Sequence, residues 1–252
     1  MESRRSSITA HQAIGVERAI RDASRLLVIT GAGVSAESGI PTFRDPGGWW
    51  KQRNPEEMAT RKAFDDDPAE IWGWYDMRRG MIARAQPNRA HRALARAEVL
   101  GRTVSIVTQN VDDLHERAGS REVVHVHGSI WELRCIADGH VFEDRRVPLP
   151  MLPPRCEDGH LARPNVTWWD EDPDAEVITR VDALLDAPYD VVLVVGTEAT
   201  FDYIQNWARR AKRLGALLVE INPRETTLTP EADARIAAPA GEALDGIVAR
   251  IA

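Results

Sequence analysis

Cysteine is rare in this sequence. Two cysteines among 252 residues are too few for the disulfide framework of a secreted protein, and this favours a cytoplasmic location. The first residues, MESRRSSITAHQ, also lack the apolar core of a signal peptide. We therefore expect a cytoplasmic protein.

Positive charge and long apolar runs are lacking as well. The formal net charge is −7, which disfavours general binding to nucleic acid or to an anionic membrane surface. No apolar run approaches the length that a membrane-spanning helix needs. We therefore expect no nucleic-acid partner and no membrane partner.

The hydrophobic content of the chain is sufficient for one substantial core. Hydrophobic residues make up 43% of the chain, and its length suits one α/β domain with an inserted lobe. We expect this domain to be a monomer.

A glycine turn follows the first buried strand that the pattern predicts. Residues 26–29, LLVI, form a short apolar run typical of a parallel strand. Gly31-Ala32-Gly33 comes next and allows close approach of the backbone to a phosphate, before a short helix whose N–H groups face an anion.

The following residues do not fit a dehydrogenase. That class places an acidic residue about 20 positions after the turn, to hold the ribose hydroxyls. Residues 41–55 instead form a loop rich in proline and glycine, and long loops of this kind are often functional lids. The turn alone would also suit an ordinary strand-to-helix connection.

The whole string from 31 to 50, GAGVSAESGIPTFRDPGGWW, resembles the signature of the sirtuins, the NAD-dependent protein deacylases. TQNVDDLH at 108–115, His127-Gly128 and Gly196-Thr197 support the resemblance, which extends over most of residues 20–250. It implies a single catalytic domain, 1–252, with a Rossmann-like parallel sheet, helices on both faces, and a small inserted lobe that contains a degenerate zinc-ribbon module and a helical module. The implied large lobe is 1–44, 87–130 and 172–252, and the implied small lobe is 45–86 and 131–171.

Asn110 and Asp112 follow a predicted strand at 103–107, where open α/β sheets bind ligands. An amide and a carboxylate two residues apart can hold a carboxamide from both sides, and the resemblance implies that this carboxamide is nicotinamide. Asp112 could also cap the next helix. The resemblance implies further NAD contacts from Gly31, Ala32, Gly33, Ala36, Phe43, Arg44, Gln109, Gly196, Thr197, Asn222 and Ala240.

His127 lies at the end of a predicted strand, 123–128, in which His125 would point the same way. A neutral imidazole is a suitable base near pH 7. The resemblance implies that His127, with Asn110 and Asp112, performs catalysis, and that His125 is structural. The implied reaction transfers the acyl group of an acyl-lysine protein or peptide to NAD, giving lysine, nicotinamide and O-acyl-ADP-ribose. NAD hydrolysis, ADP-ribosyl transfer and non-catalytic NAD binding remain alternatives.

Tyr75 and Arg78 share one face of a predicted helix at 68–84 because they are three residues apart. A phenol and a guanidinium together suit a carboxylate, which arginine can hold with two hydrogen bonds. The pair resembles the Tyr-x-x-Arg element of sirtuins that remove succinyl and malonyl groups. An ordinary surface pair is the alternative.

The segment 165–171 resembles the one that pairs with the substrate peptide in sirtuins, which implies substrate contacts from Val166 and Trp168. Pairing through the backbone tolerates varied peptide sequences. Trp169-Asp170 stands where the family usually has Phe-Gly, and Glu198 stands where it usually has serine. A carboxylate would repel a diphosphate, so we expect Glu198 to turn toward a ribose hydroxyl or solvent.

Cys135 and Cys156 stand where the resemblance implies a structural zinc held by two Cys-x-x-Cys pairs. Together with His140 and His160 they could form a Cys2His2 site. Loss of the metal is the alternative, and the unusual spacing favours it.

Overall fold

A six-stranded parallel sheet organises the chain in the computed structural model, which describes residues 18–42 and 55–249. The sheet order is β3-β2-β1-β7-β8-β9. A separate three-stranded antiparallel sheet has the order β5-β4-β6. The strands are β1 (Arg25–Thr30), β2 (Thr103–Thr108), β3 (Glu122–His125), β4 (Gly128–Cys135), β5 (Val141–Glu143), β6 (Ala162–Val166), β7 (Val191–Val195), β8 (Leu217–Ile221) and β9 (Ala234–Ile236).

The helices cover both faces of the large sheet. Residues 18–22 are helical (α1). The apolar pattern of residues 9–23 predicts a helix there, and residues 9–17 lie outside the described residues. The other helices are α2 (Pro55–Met58), α3 (Arg61–Asp66), α4 (Pro68–Arg84), α5 (Arg89–Val99), α6 (Leu114–Ala118), α7 (Ala175–Leu184), α8 (Asp202–Arg213) and α9 (Ala240–Ala249). The predicted helix at 68–84 has these bounds in the structure.

Alternate residues of β1 enter two different cores. Leu26 and Val28 pack with α5 and α9, whereas Leu27 and Ile29 pack with α7 and α8. A strand buried on both faces needs a continuous apolar run, because successive side chains point in opposite directions. The prediction of a Rossmann-like parallel sheet with helices on both faces is confirmed.

The chain changes direction across the sheet at β1. It proceeds through β2 and β3 on one side of β1, and through β7, β8 and β9 on the other. Ligands of open α/β sheets bind at such a switch point, beyond the carboxyl ends of the strands. The fold therefore places the candidate site where β1, β2 and β7 end.

The small antiparallel sheet packs against α3 and α4 in a third core. Trp72 of α4 donates an indole hydrogen bond to the carbonyl of Ala162 in β6, at 2.8 Å. Arg79, which is fully buried, donates to the carbonyl of Ile130 in β4, at 2.6 Å. These bonds fix α4 to the small sheet. The lobe boundaries implied by the sequence remain a prediction.

A membrane-spanning helix is not found among residues 18–42 and 55–249: none of their helices is both long and apolar enough.

Candidate functional site

A cavity of about 520 Å³ lies beyond the carboxyl ends of the parallel strands. Gly31, Gln109, Gly196 and Asn222 line it, and each is the first residue after β1, β2, β7 or β8 respectively. The cavity volume is within the usual range for small-molecule and cofactor sites. Four predicted binding segments therefore meet in one place.

Two turns pack closely at the floor of this cavity. The N–H of Gly33 donates to the carbonyl of Gly196 at 2.8 Å. A Cβ on Gly31 would lie 2.6 Å from Thr197 Cβ, and one on Gly33 would lie 2.8 Å from Gly196 Cα. Only glycine permits this approach. The predicted short helix after the turn is instead a pair of 3-10 turns, Ala32–Val34 and Ala36–Ser38.

Ser35 connects Asn110 and Asp112. Its hydroxyl donates to Asp112 Oδ2 at 2.9 Å and accepts from Asn110 Nδ2 at 3.0 Å. Burial raises the pKa of Asp112, although hydrogen bonds from Leu114 and Ser35 oppose the shift. Sequence reasoning assigned no role to Ser35, which lies 75 residues before Asn110.

Asp112 also partly caps α6. Its Oδ1 accepts from the N–H of Leu114 at 3.1 Å, while the residue at the cap position itself is Asp113, whose side chain makes no capping bond. Helix capping uses Oδ1 alone, so it is compatible with the predicted carboxamide contact of Asp112, which remains a prediction.

His127 bonds on both sides of its ring. Nδ1 lies 3.0 Å from the carbonyl of Gln109, and Nε2 lies 2.6 Å from the hydroxyl of Tyr203. Burial lowers the pKa of His127 to about 4, so the ring is neutral at pH 7. Tyr203 was not found from the sequence, since nothing local marks it as a partner of a histidine 76 residues away.

His125 occupies a different environment from His127. β3 ends at His125, so the predicted continuous strand over 123–128 is wrong: residues 126 and 127 form a turn, and Gly128 begins β4. His125 Nε2 lies 2.6 Å from Glu116. Burial favours the neutral ring, but the Glu116 carboxylate outweighs it and raises the pKa of His125.

Tyr75 and Arg78 both line the cavity. The Tyr75 side chain is only 1% exposed, and its hydroxyl accepts from Trp168 Nε1 at 2.9 Å. The Arg78 guanidinium lies 5.6 Å from the centre of the Tyr75 ring and 4.7 Å from that of Trp74. The pair therefore lies at a cavity wall and not on an ordinary helix surface.

Val166 and Trp168 reach the cavity from the end of β6. Trp168 is 2% exposed, so most of its ring serves packing, with the Arg163 guanidinium 3.5 Å from the ring centre. Trp169 is 40% exposed and stacks on Phe201, with ring centres 5.6 Å apart. The stack connects the segment after β6 with the segment before α8.

Some of the other residues predicted to contact NAD line the cavity, and two are not described by the structure. Ala32, Ala36, Thr197 and Ala240 also line the cavity, and Asn222 donates to the carbonyl of Thr197 at 3.0 Å. Phe43 and Arg44 lie outside the described residues.

Comparison with known proteins identifies the family. A model of the Sir2 family matches residues 31–202, more than half of the chain. The chain belongs to the Sir2 family. It is 43% identical over 235 residues to a protein from Archaeoglobus fulgidus named NAD-dependent protein deacylase 1, covering 93% of this chain and 96% of that protein.

A second curated relative and a solved structure match most of this Sir2 chain. NAD-dependent protein deacylase 2 from Pyrobaculum aerophilum is 46% identical over 226 residues, covering 89% of this chain and 90% of that protein. The solved structure of a Sir2 homologue in complex with NAD is 42% identical, with a TM-score of 0.88 over 94% of this chain and 93% of that one.

Glu198 is a departure from the Sir2 pattern, and it borders the same cavity. Its Oε1 lies 3.7 Å from the guanidinium of Arg224. A neighbouring cation offsets the repulsion that an isolated carboxylate would exert on a diphosphate.

The cysteine pair lies beside one group of possible metal ligands in this Sir2 chain. In the described part of the chain, one group of possible ligands lies close together, Cys135, Asp138 and His140, with atoms within 4.8 Å. Cys156 Sγ is 3.2 Å from Cys135 Sγ, but neither Cys156 nor His160 belongs to that group. A structural zinc needs four ligands arranged as a tetrahedron, and the close group has three, so the Cys2His2 site and the loss of the metal both remain predictions.

Proposed function

We propose that this Sir2 chain, an NAD-dependent protein deacylase, removes succinyl and malonyl groups from lysine as well as, or in preference to, acetyl. The observation that carries the proposal is the convergence of Asn110, Asp112 and His127 with Tyr75 and Arg78 in a single cavity. The first three residues suit the NAD chemistry, and the last two suit an acidic acyl chain. The cytoplasmic location and monomeric state remain predictions.

The residues at the strand ends fit NAD. The close packing of Gly31 and Gly33 against Gly196 leaves backbone rather than side chains at the cavity floor, where a diphosphate can approach N–H groups. NAD supplies a ribose to which the acyl group is transferred, and it is consumed in the reaction. Polar side chains suited to ribose hydroxyls, Gln109 and Asn222, follow β2 and β8.

Asn110 and Asp112 hold the carboxamide of nicotinamide. Ser35 orients both, because its hydroxyl accepts from the amide and donates to the carboxylate. The amide then presents its carbonyl oxygen as an acceptor, and the carboxylate accepts from the carboxamide NH2. Holding nicotinamide in one orientation favours cleavage of its bond to the ribose.

His127 removes a proton from a ribose hydroxyl in the second stage. Its pKa of about 4 keeps the imidazole neutral, and Nδ1 donates to the Gln109 carbonyl, so the lone pair is on Nε2. A neutral ring with a fixed tautomer is the form that a general base requires.

Arg78 and Tyr75 select the acyl group. A succinyl or malonyl chain ends in a carboxylate, which the guanidinium pairs with in a partly desolvated site. The Tyr75 hydroxyl already accepts from Trp168, so its own proton is available for the same carboxylate. An acetyl group has no charge to interact with either residue.

The test compares matched succinyl-lysine and acetyl-lysine peptides for NAD-dependent lysine release. In Arg78→Met, kcat/KM for the succinyl peptide should fall by about 10- to 100-fold, while kcat/KM for the acetyl peptide changes little. Arg84→Met, in the last turn of the same helix and exposed, is the matched control and should behave as wild type.

Two outcomes contradict parts of the proposal. An acetyl preference that Arg78→Met leaves unchanged would remove the acidic-acyl specificity while leaving the deacylase chemistry. Nicotinamide release without lysine release from either peptide would instead indicate NAD hydrolysis.

A further inference from the structure

The Nε2 lone pair of His127 is already engaged by another residue. Nδ1 lies 3.0 Å from a carbonyl oxygen, which accepts and never donates, so Nδ1 carries the proton. Nε2 is then an acceptor, and the group 2.6 Å from it, the Tyr203 hydroxyl, must donate. The atom that acts as the base is therefore held by Tyr203.

Tyr203 is rigidly placed for this contact. It lies in the first turn of α8, where its ring stacks on Phe201 at 5.3 Å and packs against Trp207 at 5.4 Å. Phe201 in turn meets the His127 ring edge-on at 5.4 Å. Burial raises the pKa of Tyr203 well above its usual range, so the phenol retains its proton at neutral pH.

We infer that Tyr203 is a positioning residue for His127, which orients the imidazole and stabilises both of its protonation states during deacylation. A hydroxyl both donates and accepts. Tyr203 donates to the single Nε2 lone pair until the ribose hydroxyl takes its place there as the donor. When the proton of the ribose hydroxyl has moved to Nε2, the Tyr203 oxygen accepts from the resulting N–H.

The proton balance of this step is complete without another reactant. The ribose O–H bond breaks and the Nε2–H bond forms, so the imidazole becomes an imidazolium and the ribose oxygen becomes the nucleophile. The imidazolium then donates to the Gln109 carbonyl from Nδ1 and to the Tyr203 oxygen from Nε2. Phenylalanine at 203 could preserve the ring packing but could neither donate nor accept.

The inference rests on the proposed function. Because the reaction has two stages, the inference can be tested separately from that function. Exchange of labelled nicotinamide into NAD, in the presence of an acyl peptide, reports the stage before the base acts. Lysine release reports both stages. A residue that acts only through His127 affects the second measurement and not the first.

The experiment compares Tyr203→Phe, His127→Ala and the double variant in both assays. Lysine release should fall about tenfold or more in Tyr203→Phe, with nicotinamide exchange within about twofold of wild type. In the His127→Ala background, Tyr203→Phe should cause no further loss, because the partner through which it acts is gone. Retained exchange also demonstrates that the variants are folded.

Tyr189→Phe is the matched control. Tyr189 is buried outside the cavity lining, and within the described residues its hydroxyl has no hydrogen-bond partner. Its loss should change neither assay.

Three results would overturn the inference: lysine release at the wild-type rate in Tyr203→Phe, an equal fall in both assays, or a further loss in the double variant. A wild-type protein that neither exchanges nicotinamide nor releases lysine would overturn the proposed function itself, and this is seen before any variant is measured.

Discussion

Trp168 donates its indole N–H to the Tyr75 hydroxyl at 2.9 Å, across 93 residues of sequence. The bond connects α4 with the segment after β6, and it determines how the Tyr75 oxygen is oriented at the cavity wall. Because the indole is the donor, the phenol proton is left for another acceptor. The proposed acyl site therefore depends on Trp168, which is itself almost fully buried.

Trp168→Phe should weaken binding of the acidic acyl chain. The Tyr75 hydroxyl loses its donor and rotates more freely, so KM for a succinyl peptide should rise about three- to tenfold while KM for an acetyl peptide stays nearly constant. The free energy of unfolding should fall by about 1–3 kcal/mol. Steady-state kinetics with both peptides and urea unfolding measure the two effects.

Trp72→Phe is the control for that variant, since Trp72 is also buried on α4 and donates to a backbone carbonyl instead. It should lower stability by a similar amount without changing the ratio of succinyl to acetyl KM. A change in this ratio as large as that in Trp168→Phe would show that general loosening of α4, and not the bond to Tyr75, is responsible.

Ser35→Ala should slow the first stage of the reaction. Asn110 and Asp112 lose the hydroxyl that orients both, so nicotinamide release should fall about tenfold or more. Ser120→Ala provides the comparison, because Ser120 is buried and its Oγ has no partner among the described residues. Equal activities of the two variants would refute the orienting role of Ser35.

Buried neutral histidines should make the fold sensitive to acid. His91 and His127 each have a pKa lowered by burial from 6.5 to about 4, and that of His115 is also lowered by burial. Between pH 6.5 and about pH 4, the unfolded chain therefore binds more protons than the folded chain does. The free energy of unfolding should therefore fall as pH decreases from about 6.5 to about 4, by up to about 3 kcal/mol for each of His91 and His127.

Urea unfolding at pH 7.5, 6 and 5 tests this dependence. His91→Gln is an informative variant, because glutamine can still accept from the N–H of Asn88 and preserve the capping box but does not titrate in this range. Its stability should depend less steeply on pH than that of wild type. Identical slopes would mean that His91 does not contribute.

Chelator should leave the protein unchanged. Among the described residues, the close ligand group beside the cysteine pair has three members where a structural zinc needs four, so we expect the purified protein to contain well below one zinc per chain and EDTA not to shift its unfolding temperature. Elemental analysis and thermal unfolding measure both. One tightly bound zinc per chain, with destabilisation on its removal, would contradict the expectation.

Local patterns in the sequence were enough to predict the main elements of the fold. The apolar run at 26–29 and the helix at 68–84 have strong local signals, and parallel strands necessarily bring Gly31, Gln109 and Gly196 to one edge of the sheet. The end of β3 at His125 was missed because the alternation of apolar residues continues into the turn.

Contacts between distant residues could not be predicted in the same way. Tyr203 looks like an ordinary residue of an amphipathic helix, and its contact with His127 depends on how α8 packs against the turn after β3. Ser35 lies within the family signature, yet its bridge between Asn110 and Asp112 appears only when β1 and β2 are side by side. Such contacts depend on tertiary packing and not on local sequence.

The most direct test of the account is the stoichiometry of products from wild-type protein, NAD and a succinyl-lysine peptide. The account predicts that nicotinamide, free lysine and O-acyl-ADP-ribose form in equal amounts, with little nicotinamide when the peptide is omitted. Nicotinamide formed at the same rate with and without peptide, and without lysine release, would contradict it.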